Sequence, residues 1–173
     1  MSLFSSRDVR VLSALALARS GDAARAQNMA DELSRSAPAN TLLNCYWLPT
    51  IRASIELSRH HPYNALRLLQ PASPCELGEP NPQVQIGGTL YPGYVRGQSA
   101  LENRDAQQAV AEFQKLIDHR GVVQNFVLGA LVHLQLGRAY LATGDAAKAR
   151  VQYQEFLTLW KDADPDIPIL TET

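Results

Sequence analysis

The stretch LGRAYLATGDAAKARVQYQEFLTLW, residues 136–160, decides the fold class of this chain. Its apolar residues recur every three or four positions on both sides of Gly144 and Asp145, which is the spacing of two amphipathic helices joined by a tight turn. Neither helix of such a hairpin can bury its apolar side alone. The stretch therefore predicts a helical hairpin that packs either on unrelated elements or on further hairpins of its own kind.

Composition sets the class of protein. The chain has 173 residues, of which 46% are hydrophobic, and this is enough for a single domain over 1–173 with one sizeable core. The formal net charge is -1 and the basic residues are scattered, so no field of one sign would attract nucleic acid or anionic lipid. No apolar run approaches 18 residues. We therefore expect neither a nucleic-acid partner nor a membrane.

The two cysteines, Cys45 and Cys75, lie far apart and fit neither a zinc spacing nor a CxxC motif. The first charged residues, Arg7, Asp8 and Arg10, interrupt the N-terminal stretch before any signal-peptide core. We expect two reduced thiols and a cytoplasmic location.

Helical spacing dominates the chain and predicts four hairpins separated by turn signals. Residues 71–92 hold five of the ten prolines and predict a long loop, in which Val84 and Ile86 favour a brief extended piece. The tail, 163–173, is turn-like. No strand-rich region is expected, so the fold class is all-α. The hairpins are predicted at about 7–37, 41–71, 92–120 and 123–162.

Equivalent residues of the last two hairpins share one register. Four pairs are forty residues apart: Gly97 and Gly137, Asp105 and Asp145, Ala109 and Ala149, and Phe113 and Tyr153. Upstream, the spacing recurs in Ala14, Ala26 and Ala30 and in Ala53, Ala65 and Leu69. A small residue on the first helix lets the second helix approach closely, and the large residue fills the space between hairpins. The opening stretch is therefore one unit of a series of four.

This register resembles the tetratricopeptide repeat, L-G-x2-Y followed by A-x3-F, and the fourth hairpin shows it best with Leu136, Gly137, Tyr140, Ala149 and Tyr153. The resemblance implies a right-handed α-solenoid of about four hairpins. Two departures stand out. Arg96 occupies a position where Leu is usual, and the unit length is near 40 residues instead of about 34.

A narrower resemblance concerns the C-terminal repeat region of large bacterial regulatory proteins that carry a Ser/Thr kinase or a winged-helix DNA-binding domain upstream. It rests on YWLPTIRASIEL (46–57), LYPGYVRGQSAL (90–101), EFQKLIDHRGVV (112–123), LGALVHLQLGRAYL (128–141) and LWKDADPDIPIL (159–170). The resemblance implies a docking or sensor segment of a longer signalling protein. The chain itself holds no kinase motif, so it is not expected to phosphorylate a substrate.

Catalytic, cofactor and metal sites are not expected. His60 and His61 are followed by no ligand at metal spacing and are read as a polar helix end, and His119 and His133 are read as packing or capping residues. Asp162, Asp164 and Asp166 lack the glycine and the final glutamate of a calcium loop. The chain is therefore predicted not to be an enzyme.

A binding surface is predicted on the concave side, which the first helices of such repeats line. Its aromatic residues are of the types found at binding hot spots, and the partner would be a protein or a peptide. The alternative is that the aromatics pack beneath the 71–92 loop. The candidate residues are Trp47, Thr50, Ser54, Tyr91, Tyr94, Gln98, Leu131, Leu134 and Arg138.

Three functions stay open. The first is a non-catalytic interaction scaffold. The second is an oligomerisation module, because the last helix carries Phe156, Leu157, Leu159 and Trp160, too many large apolar residues for one buried stripe. The third is an enzyme with an unrecognised site in the 71–92 loop.

Overall fold

The computed structural model describes residues 6–77, 90–123, 126–164 and 166–171. Over these ranges every regular element is helical and no strand occurs, so the all-α prediction is confirmed there. A π-helical turn, Leu43–Trp47, leads into the third helix, and a 3₁₀ turn, Gln70–Ala72, follows the fourth. The α-helices are α1 (Arg7–Arg19), α2 (Ala23–Ser36), α3 (Leu48–Ser58), α4 (Pro62–Leu68), α5 (Tyr91–Glu102), α6 (Ala106–Asp118), α7 (Arg120–Val123), α8 (Leu128–Ala142), α9 (Ala146–Leu159) and α10 (Pro168–Thr171).

The turns inside the hairpins share one design. A residue with positive φ precedes the residue that caps the second helix: Gly21 (φ 87°), His60 (59°), Arg104 (61°) and Gly144 (85°). Glycine adopts this conformation without steric cost, which explains the Gly-Asp pairs of the first and fourth hairpins. In three of the hairpins the next residue is an aspartate whose carboxylate accepts from a backbone N–H three residues later: Asp22 at 3.2 Å, and Asp105 and Asp145 at 3.0 Å.

The helices pair in chain order and the pairs contact one another in series. α1 packs on α2, α3 on α4, α5 on α6 and α8 on α9, while α2, α4 and α6 each also contact the first helix of the following pair. Small residues lie where paired helices cross. A Cβ atom added at Gly97 would stand 2.5 Å from the Phe113 ring, and one added at Gly137 would stand 2.7 Å from the Tyr153 ring.

Two main apolar clusters form the core. One lies between α1, α2 and α3, and the other between α5, α6 and α8. A smaller cluster of Ala53, Ala65, Leu69 and Val95 joins them. Both main clusters contact Tyr91, so this residue stands at the junction of the two halves of the core.

The hairpin predicted at 41–71 does not begin with a regular helix, because the π-helical turn Leu43–Trp47 precedes α3. The N–H of Leu48 bonds to the carbonyl of Leu43, five residues back. Pro49 follows and has no N–H to donate, so the regular four-residue pattern cannot form across this point. The hairpin predicted at 123–162 also begins later than expected, since α7 ends at Val123 and α8 begins at Leu128. Val84 and Ile86 lie outside the described residues.

The expectation of two reduced thiols is wrong. Cys45 and Cys75 form a disulfide with a Cα–Cα distance of 6.4 Å, within the range for such bonds. Residues 70–77, which we call the strap, run from the end of α4 back to the π-helical turn, and this return brings together two cysteines 30 residues apart. The pairing depends on the tertiary path of the strap, which the local sequence pattern does not contain.

Candidate functional site

The nine residues predicted to line a concave groove divide into two groups. Tyr91, Gln98, Leu131 and Arg138 are half-buried and present some surface. The other five are buried, which contradicts the prediction that they are exposed in the groove. Their side chains cannot contact a partner directly while this packing persists. The buried residues are Trp47, Thr50, Ser54, Tyr94 and Leu134.

At the end of α1, Arg19 contributes to the burial of Tyr94. Arg19 Nη1 donates to Gln98 Oε1 at 3.1 Å, and the Arg19 guanidinium lies 5.4 Å from the centroid of the Tyr94 ring. Arg19 belongs to the first hairpin and Gln98 to the third. Contact between them spans the intervening hairpin, and Ser54 of that hairpin lines the same small cleft as Arg19 and Gln98. Burial raises the pKa of Tyr94, and the charges of Arg19 and Arg138 oppose that rise only in part.

The buried hydroxyls of α3 bond within their own helix. Thr50 Oγ1 donates to the carbonyl of Tyr46 at 2.6 Å, and Ser54 Oγ donates to the carbonyl of Thr50 at 2.8 Å. Each hydroxyl therefore satisfies its donor without a ligand, as a Ser or Thr inside a helix commonly does. These side chains let neighbouring helices approach but offer no free donor to a peptide.

An aromatic row crosses three hairpins near the starts of their first helices. The ring centroids of Tyr46 and Trp47 are 4.8 Å apart, those of Trp47 and Tyr91 6.2 Å, and those of Tyr91 and Phe126 5.7 Å. The Tyr46 hydroxyl also accepts from the backbone N–H of Tyr91 at 3.1 Å. Burial raises the pKa of both Tyr46 and Tyr91, so both phenols stay neutral at physiological pH. Tyr91 and Phe126 are half-buried and form the accessible part of the row.

Sequence reasoning found Trp47 and Tyr91 but missed Tyr46 and Phe126 as members of this row. Phe126 lies between α7 and α8, outside every position of the repeat pattern. The length of the repeat was the sequence feature that pointed to such a residue. A unit near 40 residues, instead of about 34, must place its additional residues between hairpins.

An ionic cluster under the strap was also missed. Arg96 is 4% exposed and Glu76 only 1%. Arg96 Nη1 lies 2.8 Å from Glu112 Oε2, Arg96 Nη2 lies 3.0 Å from Glu76 Oε2, and Lys115 contacts the other Glu76 oxygen. Burial lowers the pKa of Arg96, but its bonds to Glu76 and the charges of Glu112 and Glu76 outweigh burial and raise it. The signal was Arg96 itself, standing where the repeat usually has Leu.

Each of the four histidines has a hydrogen-bond partner at its Nδ1 atom. His60 Nδ1 lies 2.9 Å from Glu102, His61 Nδ1 3.2 Å from Glu56, His119 Nδ1 2.9 Å from the Lys115 carbonyl, and His133 Nδ1 2.8 Å from Gln152. Among the described residues no three His, Cys, Asp or Glu side chains are grouped so as to hold a metal ion. In the same part of the chain, no helix has the length and apolarity needed to cross a membrane. The hypothesis of an enzymatic site in the 71–92 loop falls mostly on 78–89, which lie outside the described residues.

The last hairpin presents an apolar groove and several exposed aliphatic side chains. An open groove of about 670 Å³ lies between α6, α7, α8 and α9, with Val123, Phe126, Val132 and Leu159 on its walls and Arg120, His133 and Glu155 among its polar groups. On α9, Leu159 is 57% exposed, Val151 52% and Leu157 46%. Val151 and Leu159 lie about 80° apart around α9, and Leu159 also lines the groove, so these two side chains mark a candidate contact surface. Leu157 points to nearly the opposite side of the helix from Leu159.

Comparison with known proteins bears on the last hairpin. Residues 132–163 match the family model of the tetratricopeptide repeat. The matched residues contain the crossing of Gly137 with Tyr153 that also occurs, as Gly97 with Phe113, in the preceding hairpin. No curated protein and no solved structure shows significant similarity to the chain. Tetratricopeptide repeats are typically non-catalytic modules and commonly bind protein or peptide partners.

Proposed function

We propose that this chain is a non-catalytic protein-interaction scaffold whose hairpins stack as a right-handed α-solenoid. The observation that carries the proposal is the match of residues 132–163 to the tetratricopeptide repeat. Three further hairpins precede these residues, and each packs on the next through its second helix. Repeats of this class work by presenting an extended surface to another polypeptide.

The cellular context is a finer part of the proposal. The sequence resemblance to C-terminal regions of bacterial kinases and transcriptional regulators supports a docking or sensor role within a cytoplasmic signalling protein. In that setting the partner would be a protein or peptide, without nucleic acid or membrane.

The proposed contact surface is narrower than the one predicted from sequence. It consists of Tyr91, Gln98, Leu131 and Arg138, extended by Phe126 of the aromatic row. The buried members of the original set, Trp47 and Tyr94 among them, would support this surface from beneath. Half-buried aromatic and aliphatic side chains suit a peptide with apolar anchors, because aromatic residues supply contact area with little rotamer entropy to lose.

Affinity capture with matched variants tests this surface. Leu131→Gln and Phe126→Ala should each reduce recovery of the wild-type partners at least fivefold, since truncation of an anchor commonly costs about 1 kcal/mol or more. The control is Tyr63→Ala, which alters a side chain that is 65% exposed on α4 and lies outside the proposed surface. Unchanged recovery by both surface variants, with melting temperatures equal to that of the wild type, would contradict the proposed surface.

Self-association is the second candidate function, and a specific observation favours it. The exposed Val151, Leu157 and Leu159 and the groove beside α7 lie on the same terminal hairpin. A second copy covering this surface would remove several large apolar side chains from water. The mass of the chain in solution distinguishes the two functions.

A further inference from the structure

The strap has few ordinary packing anchors. Of its eight residues only Ala72 and Glu76 are buried, while Gln70, Pro71, Ser73, Pro74 and Leu77 are exposed. Three backbone hydrogen bonds give it local order, from the N–H groups of Ala72, Ser73 and Cys75 to carbonyls three residues earlier. Apart from the packing of Ala72, the contacts that fix it to other helices are polar or covalent. These are the ion pairs of Glu76, a hydrogen bond of 3.3 Å from Arg96 to Ser73, and the Cys45–Cys75 disulfide.

We propose that the Cys45–Cys75 disulfide is a redox-operated latch that holds the strap against α5 and α6. The ionic cluster alone contributes little net free energy to the closed position of the strap. Glu76, Arg96 and Lys115 regain hydration when the strap lifts away, and buried ion pairs roughly break even against that hydration. Because the strap buries little apolar surface, the covalent bond decides whether the closed position dominates.

Both cysteines are half-buried, so a small dithiol reductant can reach them. One thiolate of the reductant attacks a protein sulfur, breaks the S–S bond and forms a mixed disulfide. The second thiol of the reductant then releases the remaining cysteine and leaves as an oxidised disulfide. Two electrons pass from the reductant to the cysteine pair, and the two protein thiolates take up two protons. A disulfide oxidant of the glutathione class reverses the change.

Opening changes the charge of the surface that the strap covers. In the closed state two cations, Arg96 and Lys115, face two carboxylates, Glu76 and Glu112. Removal of Glu76 with the strap leaves two cations and one carboxylate on α5 and α6. Reduction therefore converts a neutral cluster into a positive patch.

The inference concerns the chain alone and does not depend on the proposed partner surface. Hydrogen exchange followed by mass spectrometry tests it on the full chain, oxidised with glutathione disulfide or reduced with dithiothreitol. We expect the amides of 70–77 to exchange roughly tenfold faster, or more, in the reduced protein, because local opening becomes more frequent. Peptides from α8 and α9 should keep their rates. A Cys45→Ser/Cys75→Ser double variant should behave like the reduced protein in both buffers.

Three results would overturn the latch. The first is two free thiols in the native protein after treatment with glutathione disulfide. The second is unchanged exchange in 70–77 when the mass shows complete reduction. The third is faster exchange throughout α1 to α9 on reduction, which would make the disulfide a staple of the whole fold. If the double variant does not fold, the comparison of the wild type in the two buffers still decides.

Discussion

At the scale of single residues, the two helix-crossing glycines differ in what surrounds them. A methyl group at Gly97 would meet the ring of Phe113, which is fully buried and has no room to move. A methyl group at Gly137 would meet the ring of Tyr153, which is partly exposed and can shift outward. The same sequence signal therefore marks a rigid contact in the third hairpin and a softer one in the fourth.

We predict that Gly97→Ala destabilises the protein and that Gly137→Ala is near neutral. Overpacking commonly costs about 1–3 kcal/mol. Alanine recovers only about 0.5–1 kcal/mol of this through its better helix propensity. Urea unfolding followed by circular dichroism measures both changes in the free energy of unfolding.

Gly121→Ala is the control for this pair, because a Cβ atom added there meets nothing within 4 Å. This variant should be as stable as the wild type or slightly more stable. Equal free energies of unfolding for Gly97→Ala and the wild type would show that the assigned helix crossing is wrong.

The sequence predicted these glycines because helix crossings recur at a fixed spacing along the chain. It did not predict that Thr50 and Tyr94 would be buried. Arg19 of the first hairpin lies over the Tyr94 ring and donates to Gln98 of the third, and this contact depends on how hairpins that are not neighbours in the chain approach each other. A repeat pattern predicts which residues meet within one hairpin, but it does not predict contacts between the first and the third hairpin.

At the scale of elements, the ionic cluster joins the strap to α5 and α6. Replacement of Arg96 by Leu, the residue usual in the repeat, would leave the Glu76 carboxylate buried with Lys115 as its remaining cation. We predict that Arg96→Leu lowers the free energy of unfolding by about 3–5 kcal/mol, the range for removing one partner of a buried ion pair. Thermal or urea unfolding of the oxidised protein measures the loss.

The double variant Arg96→Leu/Glu76→Met separates charge from packing. It removes both buried charges and substitutes apolar side chains, so it should recover most of the stability that the single variant loses. If the double variant is as unstable as Arg96→Leu, the loss comes from packing around residue 96 and not from the Glu76 carboxylate that has lost one of its two cations.

The capping aspartate of α9 gives a prediction about pH. Hydrogen bonds from the side chain and the backbone N–H of Lys148 hold the pKa of Asp145 below its ordinary value of 3.8. A carboxyl group with a lowered pKa in the folded state stabilises the fold above 3.8, and this contribution disappears as pH falls through the folded-state pKa. Asp145→Ala should therefore melt below the wild type at pH 7, and the difference should shrink below about pH 3.8.

Asp145→Asn is the matched control, because asparagine keeps the oxygen that caps Lys148 N–H but carries no charge. It should retain more stability than Asp145→Ala at pH 7 and show little change in the wild-type pH window. A difference between wild type and Asp145→Ala that stays constant from pH 7 to pH 2 would contradict the role of the charged cap.

Element-level features were predictable where one local rule governs them. The Gly-Asp turns after α1 and α8 follow from the positive φ that glycine permits. The same turn at His60 and Arg104 has no glycine to mark it. The Cys45–Cys75 bond and the pairing of Arg96 with Glu76 were beyond prediction, because both depend on where a 22-residue loop begins its return and no periodicity reports that path.

At the scale of the whole molecule, the two ends of the hairpin series differ. On α1 the large apolar side chains Val11 and Leu15 are buried, whereas α9 exposes Val151, Leu157 and Leu159. In the hairpin before it, α6 is covered by α8, while among the residues that the structure describes α10 makes no extensive contact with α9. Hairpin arrays need a polar cover at their ends, and α9 lacks an equivalent cover within the described residues.

We therefore predict that the chain self-associates through the terminal hairpin. Light scattering coupled to size-exclusion chromatography should give masses that rise above the 19.0 kDa of one chain as the concentration approaches the high micromolar range. Val151→Glu/Leu159→Glu should restore the monomer, because both positions lie toward one side of α9 and a charge on each must be desolvated when two copies meet. Leu42→Glu is the control, since Leu42 is exposed to a similar degree, 42%, but lies before α3. A single-chain mass for the wild type at every concentration would exclude association through α9 and leave the interaction-scaffold proposal as the function to test.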